Sequence, residues 1–309
     1  MNVTETLTGV IGVINTPFNN DDTIDGPSLE RYVRHSMECG VKGFLVLGMA
    51  AEVNKLSVEE KEIIVRTVVG EVNHRVPVIC GVSAKNQSER LSLTEKFIRL
   101  GCDGIMVSIP FENEETFIRK ISGIAELQPK FLMVQDWAFD GYGIPIEVIL
   151  KLYHSISCFS SYKIEVVPAG IKYTEALAAT KGQLHVAGGW AGSQMIEALD
   201  RGVHAFMSTI LPDVYNRIFQ LHRSGRRDQA KTLFHELVPI LAFSHQHLDI
   251  SIHFNKRLVW RQGLFSTCNV REPILPFDTY HTKVADELIN QALTLCQRIN
   301  VGDDEEGGL

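Results

Sequence analysis

The stretch VIGVINTPFNNDDTIDGPSLERYVRHSMECGVKGFLVL, residues 10–47, has the pattern of a strand, a helix and a second strand. Short apolar runs of the kind that form buried parallel strands occupy 10–15 and 43–47. Between them, apolar residues recur at the spacing of one helix face: Leu29, Val33 and Met37. Pro27 near the start and Gly40 just past the end are residue types that commonly bound a helix. The stretch therefore predicts one β-α-β unit.

The same alternation recurs along the first two thirds of the chain. Apolar runs, each followed by a helical segment, occur eight times: Val10–Asn15, Gly43–Leu47, Val76–Cys80, Gly104–Val107, Phe131–Val134, Ser161–Ile164, Leu184–Ala187 and Ala205–Met207. Eight parallel strands that are each followed by a helix close into a barrel of about 250 residues. The predicted fold is therefore an α/β protein, a (β/α)8 TIM barrel.

The last third of the chain has helical periodicity only. Helices are predicted over roughly Pro212 to Ser224, Asp228 to Gln246, Ile252 to Gln262 and Thr279 to Ile299. We therefore divide the chain into a barrel core at 1–211, the last barrel helix with a C-terminal helical layer at 212–300, and a tail at 301–309. The tail is acidic and rich in glycine, so it is predicted to be disordered.

Composition argues against several classes of partner. The net charge is −7 and the Lys and Arg residues are scattered, so nucleic acid is not an expected partner. No apolar run approaches the roughly 20 residues that span a bilayer, and the N-terminus lacks a basic patch, so we expect a cytoplasmic protein without membrane contact. The six cysteines are widely spaced and imply neither a disulfide framework nor a zinc site. His245 and His247 lie two residues apart in a predicted helix, which favours solvated or interface histidines over a metal site.

Lys163 stands at the end of the sixth predicted strand, in Ser161-Tyr162-Lys163-Ile164-Glu165. Active sites of such barrels lie at the C-terminal ends of the strands, and the two-residue period of a strand puts Glu165 on the face of Lys163. Burial at a barrel mouth disfavours the charged form of a lysine, and a neutral amine attacks a ketone to form a Schiff base. The alternative is a lysine that extends its charge from the strand end into solvent.

Motifs along the whole barrel resemble those of the dihydrodipicolinate synthase and N-acetylneuraminate lyase superfamily, from about Thr8 to Ile299. The matching motifs keep the order and spacing of that family: Gly12-Val13-Ile14-Asn15-Thr16-Pro17-Phe18, Asp25, Gly43 to Glu52, Leu56-Ser57, Glu60, Gly81-Val82-Ser83, Gly101 to Gly104, Pro110, Lys163 and Gly188-Gly189. The resemblance implies a Schiff-base lyase for a small 2-keto acid or sugar acid, with Lys163 as the imine-forming lysine and no metal or other cofactor. It also implies a homo-oligomer, a tetramer or a dimer.

The resemblance further assigns residues around the substrate. Gly188 and Gly189 would lie at its pyruvyl end, and Met207 would line the pocket floor. Trp190 and Trp137 follow predicted strands at the catalytic face. They would either shape a pocket for a sugar acid or plug the mouth of the barrel.

The loop after the second strand departs from the family pattern. The family reads Gly-Thr-Thr-Gly-Glu there, with hydroxyls that bind the substrate carboxylate and relay protons, whereas this chain reads GMAAE at 48–52. Both hydroxyls are absent. Because small side chains let a ligand approach the main chain, we expect the backbone amides of Met49, Ala50 and Ala51 to bind the carboxylate.

Two positions near the fifth strand also depart from the family. The tyrosine that serves there as a proton shuttle aligns with Gln135, and an amide cannot act as a general acid. The arginine that binds the distal carboxylate in dihydrodipicolinate synthases aligns with Asp140, which would repel it, so lysine biosynthesis fits poorly. We expect Gln135 and Asp136 either to orient a water or a substrate hydroxyl, or to cap the loop after this strand.

Three segments resemble 2-keto-3-deoxyarabonate dehydratases: Met133 to Asp136, Tyr162 to Glu165 and Gly189 to Gly192. This likeness favours dehydration of a 2-keto-3-deoxy sugar acid. Glu165 is then the nearest carboxylate for proton transfer, although it would equally serve as a structural ion-pair partner. Three alternatives stay open: retro-aldol cleavage of a similar substrate, a reaction like that of dihydrodipicolinate synthase or N-acetylneuraminate lyase, and a barrel that binds keto acids without turnover.

Overall fold

The computed structural model describes residues 2–189 and 192–306, and its strands form one closed parallel barrel. Each strand pairs with the next along the chain, and the last pairs with the first. The strands are β1 (Gly9–Val13), β2 (Gly43–Val46), β3 (Val78–Gly81), β4 (Gly104–Val107), β5 (Phe131–Ala138), β6 (Phe159–Val166), β7 (His185–Gly188) and β8 (Ala205–Ser208). The predicted TIM barrel is confirmed, and every predicted run overlaps a strand.

Helices cover the outside of the barrel and form the C-terminal layer. In the barrel they are α1 (Val3–Leu7), α2 (Gly26–Glu38), α3 (Val58–Val72), α4 (Gln87–Arg99), α5 (Glu114–Ala125), α6 (Ile146–Ser155), α7 (Ala169–Ala179) and α8 (Met195–Asp200). After β8 follow α9 (Pro212–Arg223), α10 (Arg227–Ser244), α11 (Leu248–Arg261) and α12 (Thr279–Glu306). None of the helices in the described residues has both the length and the apolarity needed to cross a bilayer.

Helix starts follow from local side-chain caps. Ser57 and Glu60 form a reciprocal capping box at α3, in which each side chain bonds the backbone of the other residue. Asn86 accepts a hydrogen bond from the amide of Glu89 at the start of α4. Both starts are predicted by the sequence, because the cap and its partner are three residues apart.

The interior of the barrel is filled at the N-terminal ends of the strands. Val3 and Leu7 of α1 belong to one buried cluster with inward-facing apolar side chains of the strands: Ile11, Val13, Leu45, Ile79, Met106, Phe131, Met133, Ala187, Ala205 and Met207. Helix α1 is absent from the sequence prediction, which treats this segment only as a polar N-terminus. Because one end of the barrel is packed shut, space for a ligand lies at the C-terminal end.

Two features differ from the sequence predictions. Cys80 in β3 and Cys102 just before β4 form a disulfide, although the cysteine spacing implies no disulfide framework. Pairing of β3 with β4 brings these two residues together, and linear spacing carries no information about it. The backbone of α12 continues to Glu306, past residue 301, where the predicted disordered tail begins.

Candidate functional site

A cavity opens at the C-terminal ends of the strands, where active sites of this fold occur. It has a volume of about 640 Å³ when the space at its open mouth is included. Its floor and walls are mostly apolar and come from strands β1, β2, β4 and β8: Val13, Leu45, Met106 and Met207. Met207 therefore lies where the family resemblance puts it.

Lys163 and Glu165 lie together in this cavity. Both project from β6 and both are buried, with 6% and 5% of their surface exposed. The Nζ of Lys163 is 3.2 Å from Oε2 of Glu165. The lysine therefore points into the barrel mouth and not into bulk solvent, and the two-residue period of the strand does put both groups on one face.

Gln135 contacts the carboxylate of Glu165, and Gly189 leaves room for it. Gln135 is the register neighbour of Lys163 in β5, is 4% exposed, and donates a hydrogen bond from Nε2 to Oε2 of Glu165. A Cβ atom at position 189 would overlap the carboxyl group of Glu165, so only glycine leaves it room. Amine, carboxylate and amide thus form one compact cluster.

The loop after β2 contributes two of its three predicted residues to the cavity. Residues Met49–Ala51 form a short 3₁₀ turn, and Met49 and Ala50 line the cavity. Ala51 does not line it. Its amide donates to the carbonyl of Gly48, and its carbonyl accepts a hydrogen bond from the Thr16 hydroxyl at 2.7 Å. The turn itself uses the amide of Ala51, which leaves the amides of Met49 and Ala50 as the candidates for a carboxylate ligand.

The C-terminal layer fixes this loop through a buried ion pair. Glu52, which follows the turn in the left-handed conformation at φ 56°, pairs with the fully buried Lys256 of α11. Lys55 also lies 2.9 Å from Glu52, and the amide of Arg271 donates to the same carboxylate at 3.0 Å. Burial lowers the pKa of Lys256 to about 8, although Glu52 favours its charged form. The position of the turn therefore depends on residues about 200 positions later in the chain.

Asp136 does not line this cavity, so the structure does not place it beside the other predicted substrate-binding residues. It follows Gln135 in β5, so its side chain points to the opposite face of the barrel wall. There its carboxylate pairs with Lys172 of α7 and accepts hydrogen bonds from the Tyr162 hydroxyl at 2.5 Å and from the Ile144 amide at 3.2 Å. It serves the packing between the barrel and its outer helices.

The remaining predicted residues have mixed positions. A Cβ at Gly188 would meet the outward-facing ring of Phe206, so this glycine does not face the cavity. Trp137 lines the cavity and packs edge-to-face on Phe139, with 4.5 Å between ring centroids. Trp190 lies outside the described residues. Asp140 is exposed and does not line the cavity.

One wall of the cavity is absent from the sequence predictions. Thr209 after β8 and the junction of α10 with α11 supply it, the latter through His245, His247, Leu248 and Ser251. Burial lowers the pKa of His245 to about 4, so its imidazole is neutral near pH 7. Within the described part of the chain, no group of three or more His, Cys, Asp or Glu residues could hold a metal ion. The sequence draws attention to the two histidines only as a rejected metal pair and gives no signal that they face the barrel mouth.

The cluster has the parts needed for covalent catalysis on a carbonyl. An amine in a mostly apolar cavity can act as a nucleophile, and a carboxylate within hydrogen-bond distance of that amine can move protons at neighbouring atoms. Because the mostly apolar walls lower the local dielectric, the electrostatic interactions of both groups are stronger than in bulk water.

Comparison with known proteins agrees with the fold. The sequence model of the Dihydrodipicolinate synthetase family matches residues 6–292. A relative from Xanthomonas axonopodis pv. citri, named 4-hydroxy-tetrahydrodipicolinate synthase, is 27% identical over 94% of this chain and 96% of its own length.

Solved structures share the whole architecture. The dihydrodipicolinate synthase of Rhodopseudomonas palustris superposes with a TM-score of 0.83 at 23% identity, covering 92% of this chain and 97% of that one. A catalytic lysine mutant of the Ruminococcus gnavus sialic acid aldolase gives a TM-score of 0.86 at 17% identity, covering 97% of this chain and 100% of that one.

Proposed function

The chain belongs to the dihydrodipicolinate synthetase family, a family of lyases, and we propose that it forms an imine between Lys163 and a 2-keto acid and dehydrates a 2-keto-3-deoxy sugar acid. One observation carries the proposal: the Lys163 amine lies 3.2 Å from the carboxylate of Glu165 inside a cavity at the catalytic end of the barrel. The name of the Ruminococcus gnavus aldolase, which refers to a catalytic lysine, supports the same chemistry on the same fold.

The reaction balances without a cofactor. The Lys163 amine adds to the C2 ketone, and loss of water gives a protonated imine. Removal of a proton from C3 sends its electron pair towards the imine nitrogen and forms an enamine. The enamine expels the C4 hydroxyl, which leaves as water after protonation and gives a C3=C4 double bond conjugated to the imine. In a five-carbon substrate, proton shifts from C5 to C3 and from the C5 hydroxyl to C4 then give the C5 aldehyde, and a second water hydrolyses the product from the lysine. The substrate loses one molecule of water overall.

Glu165 takes the proton-transfer role in this proposal. It is the carboxylate closest to the imine nitrogen, and C3 of the substrate is two bonds from that nitrogen. Gln135 holds the carboxylate by its hydrogen bond and supplies no proton itself. The amides of Met49 and Ala50 bind the C1 carboxylate in place of the hydroxyls that the family pattern has there.

Imine formation is tested by trapping. The purified protein is incubated with pyruvate and sodium borohydride, and the modified peptide is identified by mass spectrometry. We expect a reduced adduct on Lys163 in the native protein and in a Lys231→Ala control on the surface of α10, and none in Lys163→Ala. Absence of an adduct with every 2-keto acid tried would contradict the proposal and favour a barrel that binds without turnover.

Two other lyase reactions are separated by their products. The names of the relatives favour condensation of pyruvate with aspartate semialdehyde as a second candidate, and the sialic acid aldolase favours retro-aldol cleavage. With a five-carbon 2-keto-3-deoxy sugar acid we expect a 2-ketoglutarate semialdehyde-type product. Release of pyruvate would show cleavage instead, and consumption of pyruvate with aspartate semialdehyde would show condensation.

A further inference from the structure

A second wall of the cavity carries hydroxyl groups, in contrast to the amine and carboxylate of Lys163 and Glu165. Thr209 and Ser251, which we call the hydroxyl pair, both line the cavity and belong to distant parts of the chain, the segment after β8 and helix α11. Neither is needed for the imine chemistry described above.

A single buried amide organises the hydroxyl pair. Asn255 is 1% exposed, and its Nδ2 donates hydrogen bonds to Thr209 Oγ1 at 3.1 Å and to Ser251 Oγ at 3.3 Å. An amide nitrogen only donates, so each hydroxyl oxygen is the acceptor and keeps its own hydrogen for another partner. Both hydroxyls are therefore set as donors at the cavity wall.

The two histidines on the same wall, His245 and His247, add polar ring nitrogens to it. His247 accepts the amide hydrogen of Asp249 on Nδ1 at 3.1 Å, so Nε2 is the ring nitrogen left to donate a hydrogen bond. His245 is neutral near pH 7 because it is buried. Among the described residues that line the cavity, Lys163 is the only Lys or Arg, and Glu165 already pairs with it.

A charged tail on a substrate would be poorly accommodated by such a wall. A carboxylate that leaves water needs a cation or several hydrogen bonds in compensation, and the carboxylate of Glu165 in the same cavity opposes it. Hydroxyl oxygens of a sugar chain accept hydrogen bonds at a much smaller cost of desolvation. The wall thus fits an uncharged, hydroxylated chain.

We infer that Thr209 and Ser251, positioned by Asn255, form the subsite that binds the hydroxyl oxygens of an uncharged polyhydroxylated tail on the 2-keto acid substrate. The inference rests on the proposed function for the imine end of the cavity and names what the other wall selects. It places specificity partly in the C-terminal helical layer, on a residue of α11.

Three probes of graded structure test the subsite by competition in borohydride trapping. Pyruvate occupies the imine end alone, whereas a five-carbon 2-keto-3-deoxy sugar acid and 2-ketoglutarate have chains of equal length that end in a hydroxyl and a carboxylate. We expect the native protein to be half-saturated by the sugar acid at a concentration about tenfold lower than by pyruvate or 2-ketoglutarate. Equal values for the three probes, or preference for 2-ketoglutarate, would overturn the inference.

Variants of the hydroxyl pair locate the effect. Ser251→Ala is expected to raise the half-saturating concentration of the sugar acid about fivefold to tenfold and to leave that of pyruvate unchanged. Ser251→Thr, which keeps the hydroxyl, should restore the native value, and Ser155→Ala on the exposed side of α6 is the matched control. An equal change for pyruvate and the sugar acid would show that Ser251 serves only folding.

Asn255→Asp tests the positioning role. The side chain keeps its shape but accepts hydrogen bonds, so it would draw the two hydroxyl hydrogens away from the cavity. We expect the same selective loss for the sugar acid as in Ser251→Ala, with pyruvate trapping and the circular dichroism spectrum retained. If the variant does not fold, Ser251→Ala alone decides.

A separate measurement keeps the subsite and the imine chemistry distinguishable. Isothermal titration of Lys163→Met with the sugar acid follows binding where no imine can form. Weaker binding after adding Ser251→Ala to this variant supports the subsite whatever the outcome of trapping. An unchanged affinity overturns it, whereas failure of trapping with intact selective binding overturns only the proposed chemistry.

Discussion

The barrel wall at β5 and β6 has one lysine–carboxylate pair on each of its two faces, and the pairs differ in what surrounds the lysine nitrogen. On the inner face, Lys163 lies 3.2 Å from Glu165 and borders the cavity. On the outer face, the fully buried Lys172 pairs with Asp136 and also donates to the carbonyls of Tyr142 at 2.5 Å and Ile144 at 2.6 Å.

The two lysines differ in access, because only the nitrogen of Lys163 borders a cavity. Three acceptors use the three hydrogens of the Lys172 ammonium, and its burial, which lowers its pKa, is opposed by the charge of Asp136. Tyr162 donates to the same carboxylate, and burial and Asp136 keep the pKa of its phenol well above the usual range. The outer pair is a closed structural network, whereas the inner pair faces a space that admits a ketone.

The largest expected effect is on adduct formation, when Lys163 and Lys172 are each replaced by methionine. Lys163→Met should lower the rate of adduct formation with pyruvate by about a thousandfold or more, because the nucleophile is lost. Lys172→Met should still give an adduct on Lys163 wherever the protein is folded. An adduct on Lys172 in the native protein would reverse the assignment of the two faces.

The free energy of unfolding should depend more on Lys172 than on Lys163. Lys172→Met leaves the carboxylate of Asp136 buried without its cation and should lower the free energy of unfolding by about 3–5 kcal/mol, as measured by urea denaturation. Adding Asp136→Asn to this variant should recover part of the loss. A loss in Lys163→Met as large as in Lys172→Met would mean that the inner pair is structural too.

A substitution of Glu165 separates the roles of the two residues of the inner pair. Glu165→Gln keeps the shape and the buried position but removes the base, so turnover of the sugar acid should fall by about a hundredfold while trapping on Lys163 persists. Rapid-quench kinetics would separate the two steps. Turnover within a few-fold of the native rate would assign proton transfer to another group.

The smallest expected effect concerns His185 of β7, which is the register neighbour of Ser161 in β6. This residue is fully buried, its Nδ1 is 2.7 Å from the Ser161 hydroxyl, and burial together with His204 lowers its pKa to about 3. The unfolded chain protonates this histidine near pH 6.5, so it binds more protons than the folded state between pH 6.5 and 3. Stability from this group is therefore lost as the pH falls below 6.5.

Between pH 7 and pH 5 the loss from His185 should be about 2 kcal/mol. Between pH 7 and pH 5, the free energy of unfolding of His185→Gln should fall by about 2 kcal/mol less than that of the native protein. The variant His154→Gln, in which an exposed histidine is replaced, should show the same fall as the native protein. Equal pH dependence in all three proteins would mean that His185 is not the group responsible.

Side-chain parity on β5 and β6 explains which parts of the site were predictable. The sequence predicts that Lys163 and Glu165 share a face, because alternate residues of a strand always do. The same rule puts Asp136 opposite Gln135, and there it accepts a hydrogen bond from the Ile144 amide in the loop after β5, as the capping alternative expects. The cytoplasmic location and the homo-oligomeric state stay predictions.

The sequence by itself determined the barrel, the boundaries of its strands within a few residues, and the shared face of Lys163 and Glu165 on β6, since hydrophobic periodicity, strand alternation and caps act over a few neighbouring positions. Only the tertiary structure decided that Asn255 holds Thr209 and Ser251 together, that Lys256 anchors the turn beside Met49, and that Cys80 meets Cys102. These contacts join residues far apart along the chain or in separate β-α units, and their pairing depends on how the helices and strands pack in three dimensions.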